Sequence, residues 1–462
     1  MSDASLGPAY RPDTVHRRLG ERFYDPVEPG RFPDHVLRYR NDRAAAEVGL
    51  GELSDARWID HFGRFEPLPD NLEQPLALRY HGHQFRHYNP DLGDGRGFLF
   101  AQLRDRVGRV LDLGTKGSGT TPYSRGGDGR LTLKGAVREL LATTLLEVRG
   151  VPTSRTFSIV ETGESLWRND EPSPTRSAVL VRLSHSHIRI GTFQRLAYEG
   201  DADAIARLVA HCGEHYGVGE GEPVGFLDDV ATRVALMGAA WWAAGFVHGV
   251  LNTDNINVTG ESFDYGPWRF MEAYDPGRTA AYFDTTGLYA FARQPEALSW
   301  NLARLAECLL VLDDGMRDGL VAILEAFPDR FERALIEGTH QRLRLTVPEP
   351  DDEEGTERVR AFYAAMAESS HPHERAFHDL MGGADRARIA ASPHAETYAT
   401  SPWREVIESL RRAPPSGPPS DAPGPVTMDH AEVEAIWVAI AEADDWKPLR
   451  DKLGAIWRSD AT

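Results

Sequence analysis

The stretch Val247-His-Gly-Val-Leu-Asn-Thr-Asp-Asn-Ile-Asn-Val-Thr-Gly-Glu-Ser-Phe-Asp-Tyr-Gly266 governs how the rest of the chain is read. It carries a possible base, Asp254, with an amide oxygen beside it on Asn255 and a second carboxylate, Asp264, ten residues past the first. Such oxygen donors suit a hard divalent cation, because Mg²⁺ keeps several waters and needs only one or two protein oxygens plus substrate phosphates. Ile256 and Val258 alternate with polar residues and Gly260 marks a turn. The segment is therefore expected to be a short strand turning back on itself, which would bring Asn255 and Asp264 to one ion. The same residues also suit a polar surface loop closed by Asx turns.

A comparison with protein kinases separates these readings. There a His precedes the catalytic Asp, a downstream Asn holds metal, and a D-F-G triplet supplies a further metal ligand. Here His248 to Asn255 resembles the kinase-like pattern H-G-D-L-x-x-x-N, and Asp264-Tyr265-Gly266 stands where D-F-G would be. Val250 occupies the place of the usual catalytic Asp, and a valine cannot accept a proton. Either the protein binds nucleotide without turnover, or another carboxylate, foremost Asp254, serves a different chemistry.

Composition bounds the partners. The 462 residues are enough for two or three units with sizeable cores. With 51 Lys and Arg against 70 Asp and Glu, the formal charge is −19, which argues against nucleic acid as a partner and leaves a small phosphorylated ligand open. The two cysteines, Cys212 and Cys308, exclude a disulfide framework and suit a reducing compartment, so a cytoplasmic protein is expected. The sequence shows no secretory signal, and its longest apolar run, Val234 to Val247, is 14 residues, too short for a bilayer. No membrane partner is expected.

Residues 1 to about 70 show little period and read as an irregular extension. Tyr80-His-Gly-His-Gln-Phe85 and Leu92-Gly-Asp-Gly-Arg96 follow, with glycines suited to a tight turn or to a loop that touches phosphate. Phe98 to Leu103 and Val110 to Gly114 read as adjacent antiparallel strands, the second leading to Lys116. After the Gly-rich stretch Thr121 to Arg130, a helix is expected from about Thr132 to Val148, with Glu139 in its first half. Strand, lysine, helix and glutamate in that order match the kinase pair in which Glu holds the phosphate-gripping Lys, although a Lys and a Glu this far apart also arise by chance. Thr156 to Thr162 and Ser177 to Leu183 extend the sheet. Arg182 and Arg189 could clamp phosphates together only if the chain turns around His185 to His187, since their odd spacing would otherwise point them to opposite faces. Surface arginines are the plain alternative. From Asp201 onward the pattern is helical. Pro348-Glu-Pro-Asp-Asp-Glu-Glu354 reads as a solvated linker, Pro414 to Pro425 as a flexible or extended connection, and Met428 to Ile456 as one or two helices that dock back.

Taken together these stretches resemble the selenoprotein O family, kinase-like proteins that act as protein adenylyltransferases. The resemblance covers roughly residues 20 to 310 and rests on Tyr80 to Phe85, Leu92 to Arg96, the run from Lys116 to Arg130, Arg138-Glu139, Ser186-His-Ile-Arg-Ile-Gly191, Gly249 to Asn255 and Phe263 to Pro267. It implies an α+β, bilobal protein-kinase-like fold with a β-rich N-terminal lobe, a mainly helical C-terminal lobe and extensions at both ends. The expected division is an N-terminal extension over 1–75, lobes over 76–195 and 196–345, a divergent acidic and Pro-rich region over 346–425, and a helical segment over 426–462. It further implies ATP bound in a flipped orientation, with AMP passed to Ser, Thr or Tyr hydroxyls of proteins. Nucleotide contacts would fall at Gly93, Gly95, Arg96, Lys116, Asp128, Gly129, Arg182, Arg189 and Asp264. Glu139 would partner Lys116, Asp254 would accept the proton, and Asn255 and Asp264 would hold Mg²⁺ or Mn²⁺. Members often carry a selenocysteine or cysteine near the C-terminus; here no cysteine follows Cys308, so a redox switch there is not implied. The alternatives are a phosphotransferase and a catalytically silent nucleotide-binding pseudokinase.

Overall fold

The computed structural model describes residues 6–169, 171–417 and 424–460. Among these, the architecture is mixed α and β, built on a nine-stranded sheet whose neighbouring strands run antiparallel. Across the sheet the strands are ordered Tyr24–Pro26, Leu76–Leu78, Leu99–Arg104, Val110–Lys116, Thr175–Ser184, Arg155–Leu166 and Val36–Arg40. Pro12–Asp13 pairs with Leu99–Arg104, and Leu131–Thr132 with Thr175–Ser184. The strands expected around Phe98 to Gly114 and around 156–162 and 177–183 are present.

The central strands are buried on both faces, so they read as continuous apolar runs. On one face Val110, Leu180 and Ile159 pack against the helix Leu133–Val148. On the other, Leu111, Leu113, Val181 and Phe157 meet Trp58 and Phe62 of the helix Asp55–Phe62. That helix begins at an N-cap, Ser54, whose hydroxyl accepts from the Arg57 amide. The first 70 residues are therefore not irregular: they contribute strands to the sheet and helices that cover one of its faces.

The remainder is helical. Ile190–Tyr198, Ala202–Tyr216, Pro223–Ala243 and Gln294–Leu309 share the core of the first sheet face. A separate core gathers Phe362, Phe377, Trp403 and Leu410 from helices Glu353–Ser369, His373–Ala384 and Ser401–Arg412. The acidic run before residue 355 is not a linker throughout. Asp352 caps the helix Glu353–Ser369 through its side chain, and Glu353 and Glu354 form the first turn, where negative charge suits the helix dipole. The Pro-rich connection lies partly outside the described residues. Beyond it two helices, His430–Ala443 and Lys447–Asp460, dock on Leu133–Val148, with the Lys134 ammonium 2.7 Å from Glu434. Among the described residues no helix is long and apolar enough to cross a membrane.

Candidate active site

Phe246–Val247 pairs with Arg269–Phe270, and the loop between these two short strands carries the residues singled out above. The His248 ring bonds the Phe263 carbonyl at 3.0 Å, which ties the start of the loop to the residue before Asp264. Asp264 itself has φ +65°, a conformation that Asp tolerates better than most side chains. Thr253–Asn255 forms a tight helical turn. Past it, the expected self-pairing strand is absent. Residues 256–258 pair instead with 188–190, through Ile190 N to Ile256 O at 3.0 Å and Val258 N to Ile188 O at 3.1 Å. Pairing with a distant segment leaves the same local alternation as a hairpin would, and it lashes the loop to the turn that carries Arg189.

Lys116 ends the strand Val110–Lys116 and Glu139 lies in the second turn of Leu133–Val148, whose N-cap is Thr132. The Lys116 ammonium sits 2.6 Å from Glu139 Oε2 and 2.6 Å from Asp264 Oδ1. Arg182 Nη1 lies 3.4 Å from Asp264 and 3.7 Å from Glu139. The chain does turn at 185–189, and Arg189 comes to the same place, 3.6 Å from Asp94 and stacked over Tyr80. Burial raises the Asp264 carboxyl, but Lys116 and then Arg182 outweigh it and hold the group well below the usual carboxylate range. Asp254 has no such partner. Burial pushes it up to about 6 against the pull of Arg189, and its Oδ1 accepts no hydrogen bond.

The turn that holds Asp254 is clamped by the hairpin Gly82–Gln84 with His87–Asn89. The His83 amide donates to Thr253 Oγ1 at 2.7 Å and the Phe85 amide to Asn252 Oδ1 at 3.0 Å. A second pair of loops closes the opposite side, where the Ser124 hydroxyl donates to Gly95 O at 2.6 Å. A side chain at Gly93 would strike the Tyr123 ring, so glycine is required for that approach.

All these parts border one cavity of about 880 Å³. Gly93, Gly95, Arg96, Lys116, Asp128, Gly129, Arg182, Arg189, Asp254, Asn255 and Asp264 line it, and so does Val250. Glu139 stands behind Lys116, 1 % exposed, and is not part of the lining. Asp128 is engaged by Arg168 at 2.8 Å and accepts from the Arg130 amide. Trp167, Arg168 and Asn169 form a further part of the rim that no local pattern announces. Arg125 and Gln84 also face the cavity, from within stretches already noted.

The oxygen donors fit a hard cation. Asn255 offers an amide oxygen and Asp264 a carboxylate kept ionised, and both line the cavity.

The profile of the family described as Protein adenylyltransferase SelO matches residues 9–412. Similar proteins named protein nucleotidyltransferase YdiU include one from Synechocystis sp., 41% identical over 485 aligned positions that cover 98% of each chain. Another, from Trichodesmium erythraeum, is 39% identical over 493 positions, covering 99% of this chain and 100% of that one. A third, from Rhizobium meliloti, is 35% identical over 458 positions, covering 94% and 91%.

Proposed function

This chain belongs to the Protein adenylyltransferase SelO family, and from that premise we propose that it moves AMP from ATP to Ser, Thr or Tyr hydroxyls of proteins in a Mg²⁺-dependent reaction. By family it is a nucleotidyltransferase that uses ATP. The acceptor hydroxyl oxygen attacks the α-phosphorus, the bond from that phosphorus to the bridging oxygen breaks, and pyrophosphate leaves with the electron pair. The hydroxyl proton passes to Asp254. A carboxyl near 6 is a competent base at neutral pH, and its unpartnered Oδ1 is free to take the proton.

Lys116, Arg182 and Arg189 serve the phosphates, with Glu139 holding Lys116 in place. Fixed cations aimed at developing charge cost no reorganisation when the reaction occurs. Asn255 and Asp264 would hold Mg²⁺ or Mn²⁺, which when bound offsets negative charge on the phosphate chain. We read the β-rich part over 76–195 and the helical part over 196–345 as the two lobes of a kinase-like fold with the cavity between them, flanked by segments over 1–75, 346–425 and 426–462. ATP is read as flipped relative to kinases and the protein as cytoplasmic, without nucleic-acid or membrane partners.

The observation that carries this reading is that cations and oxygen donors from distant segments line one cavity in which Val250 replaces the kinase base and Asp254 remains. Val250 disfavours a phosphotransferase, and the retained Asp254, Asn255 and Asp264 disfavour a silent pseudokinase. Intact-mass analysis after incubation with ATP and Mg²⁺ tests it. The expected product is the mass of AMP added to an acceptor protein; addition of a phosphate mass, or none in any acceptor tried, would count against it.

A further inference from the structure

Arg182 lies in the strand Thr175–Ser184 directly opposite Gly114. Its Nε donates to His187 Nε2 at 3.1 Å. The other ring nitrogen, His187 Nδ1, is 3.2 Å from Asp112 Oδ2, and the His187 amide donates to that same oxygen at 2.9 Å. Asp112 Oδ1 accepts from the Gln102 side-chain amide at 2.7 Å. Gln102 and Asp112 are fully buried, and His187 and Arg182 nearly so.

These contacts admit one protonation pattern. Arg182 can only donate, so His187 Nε2 must carry a lone pair, and Asp112 as a carboxylate can only accept, so the proton sits on Nδ1. Burial also disfavours the imidazolium, although Asp112 opposes it. The guanidinium is thus held at Nε by an uncharged acceptor, while its Nη1 faces the Asp264 and Glu139 carboxylates at 3.4 and 3.7 Å. A satisfied core histidine would need neither the arginine nor the room made for it: a Cβ at Gly114 would collide with His187 Nε2.

We propose that His187, locked by Asp112 as its Nδ1–H tautomer, is a positioning residue that sets the Arg182 guanidinium for the phosphates of ATP, and that position 114 is glycine to admit it. The phosphate ligand rests on the function proposed above; the tautomer does not.

Two amide replacements separate positioning from mere packing. In His187→Gln the side-chain oxygen reaches the place of Nε2 and can still accept from Arg182, whereas His187→Asn reaches only as far as Nδ1. Calorimetry with ATP on the full chain is expected to show His187→Gln within about threefold of the unaltered protein and His187→Asn weaker by about tenfold. Similar melting temperatures are expected for both. Nitrogen NMR of the [¹⁵N]histidine-labelled chain should show His187 with Nδ1 protonated and Nε2 unprotonated in the unaltered protein. A protonated Nε2 in the unaltered protein would overturn the inference, and so would equal ATP affinity for the Gln and Asn variants. Failure of the unaltered protein to bind ATP would sink the proposed function instead, and the tautomer signal would still decide this one.

Discussion

Two buried charge clusters in this molecule look alike and behave differently. In one, Arg149 and Arg342 flank Glu374, with Arg149 2.7 Å from it. Their remaining N–H groups go to backbone carbonyls, Arg149 to Ala244 at 2.8 Å and Val426 at 3.0 Å, and Arg342 to Ala243. In the other, Lys116 and Arg182 engage Asp264 and Arg189 lies 3.6 Å from Asp94. Each cluster holds a carboxylate oxygen that accepts no hydrogen bond, but Glu374 Oε2 has Arg149 2.7 Å away, whereas Asp254 Oδ1, on the wall of the second cavity, has no ion-pair partner among the described residues. Both border cavities, of about 350 Å³ and 880 Å³. The difference teaches that burial of charge does not mark a site. A buried carboxylate on a cavity wall with neither an ion pair nor a hydrogen bond to one of its oxygens does, because a buried polar group without a partner is a standing cost that a ligand can remove.

The largest effect that could break this contrast is at Asp254. Asp254→Asn is expected to lower AMP transfer by about 10²- to 10⁴-fold with ATP affinity little changed, as loss of a general base requires. Steady-state rates beside calorimetry check it, and a variant with near-normal rates would remove Asp254 from the mechanism. In the unaltered protein the rate should rise with pH through about 6 as Asp254 ionises.

Next comes Glu374→Ala, which leaves two arginines buried without their carboxylate. It should destabilise the fold by about 3–5 kcal/mol, read by denaturant unfolding, while ATP affinity per folded molecule stays unaltered. Loss of nucleotide binding alone would dissolve the distinction between the clusters.

Asp254→Asn should also act on stability, in the opposite direction. The folded-state carboxyl is raised to about 6 from 3.8, so the folded protein binds the proton more tightly than the unfolded chain. The ionised group therefore destabilises the fold above that pH, and the penalty vanishes as pH falls from 6 toward 4. At pH 7 the variant should be more stable by up to about 3 kcal/mol, with the gain gone near pH 4. A gain that persisted at pH 4 would show that ionisation is not its cause.

The smallest effect lies away from both clusters, where the Arg43 guanidinium lies 3.7 Å from the centre of the Trp457 ring on the last helix. Trp457→Ala should reduce stability by about 1 kcal/mol and leave nucleotide affinity alone. A catalytic defect there would mean that the docked C-terminal helices reach the site.

Much of the site was legible because its chemistry is local in sequence. Asp254, Asn255 and Asp264 share one loop, and Lys116 and Glu139 sit on a strand and a helix with plain periodicity. Period could not name partners, which is why residues 256–258 looked like half of a hairpin when they pair with 188–190. The N-terminal strands were missed because Pro12–Asp13 and Tyr24–Pro26 are too short to show alternation, and neighbouring strands supply their order. The acidic run reads as solvated chain because charge hides an N-cap, and Asp352 shows as one only through its bond to Gly355. Trp167 and Arg168 reach the rim on a loop that follows the edge of a long strand, and nothing within that loop points to the cavity.

The claim at the centre is that the cavity presents the α-phosphorus of ATP to a protein hydroxyl. Incubating the chain and an acceptor protein with Mg²⁺ and ATP labelled at either the α or the γ phosphate tests it most directly. Label should enter protein from the α position only, with pyrophosphate released in equal amount, and label entering from the γ position would contradict the account.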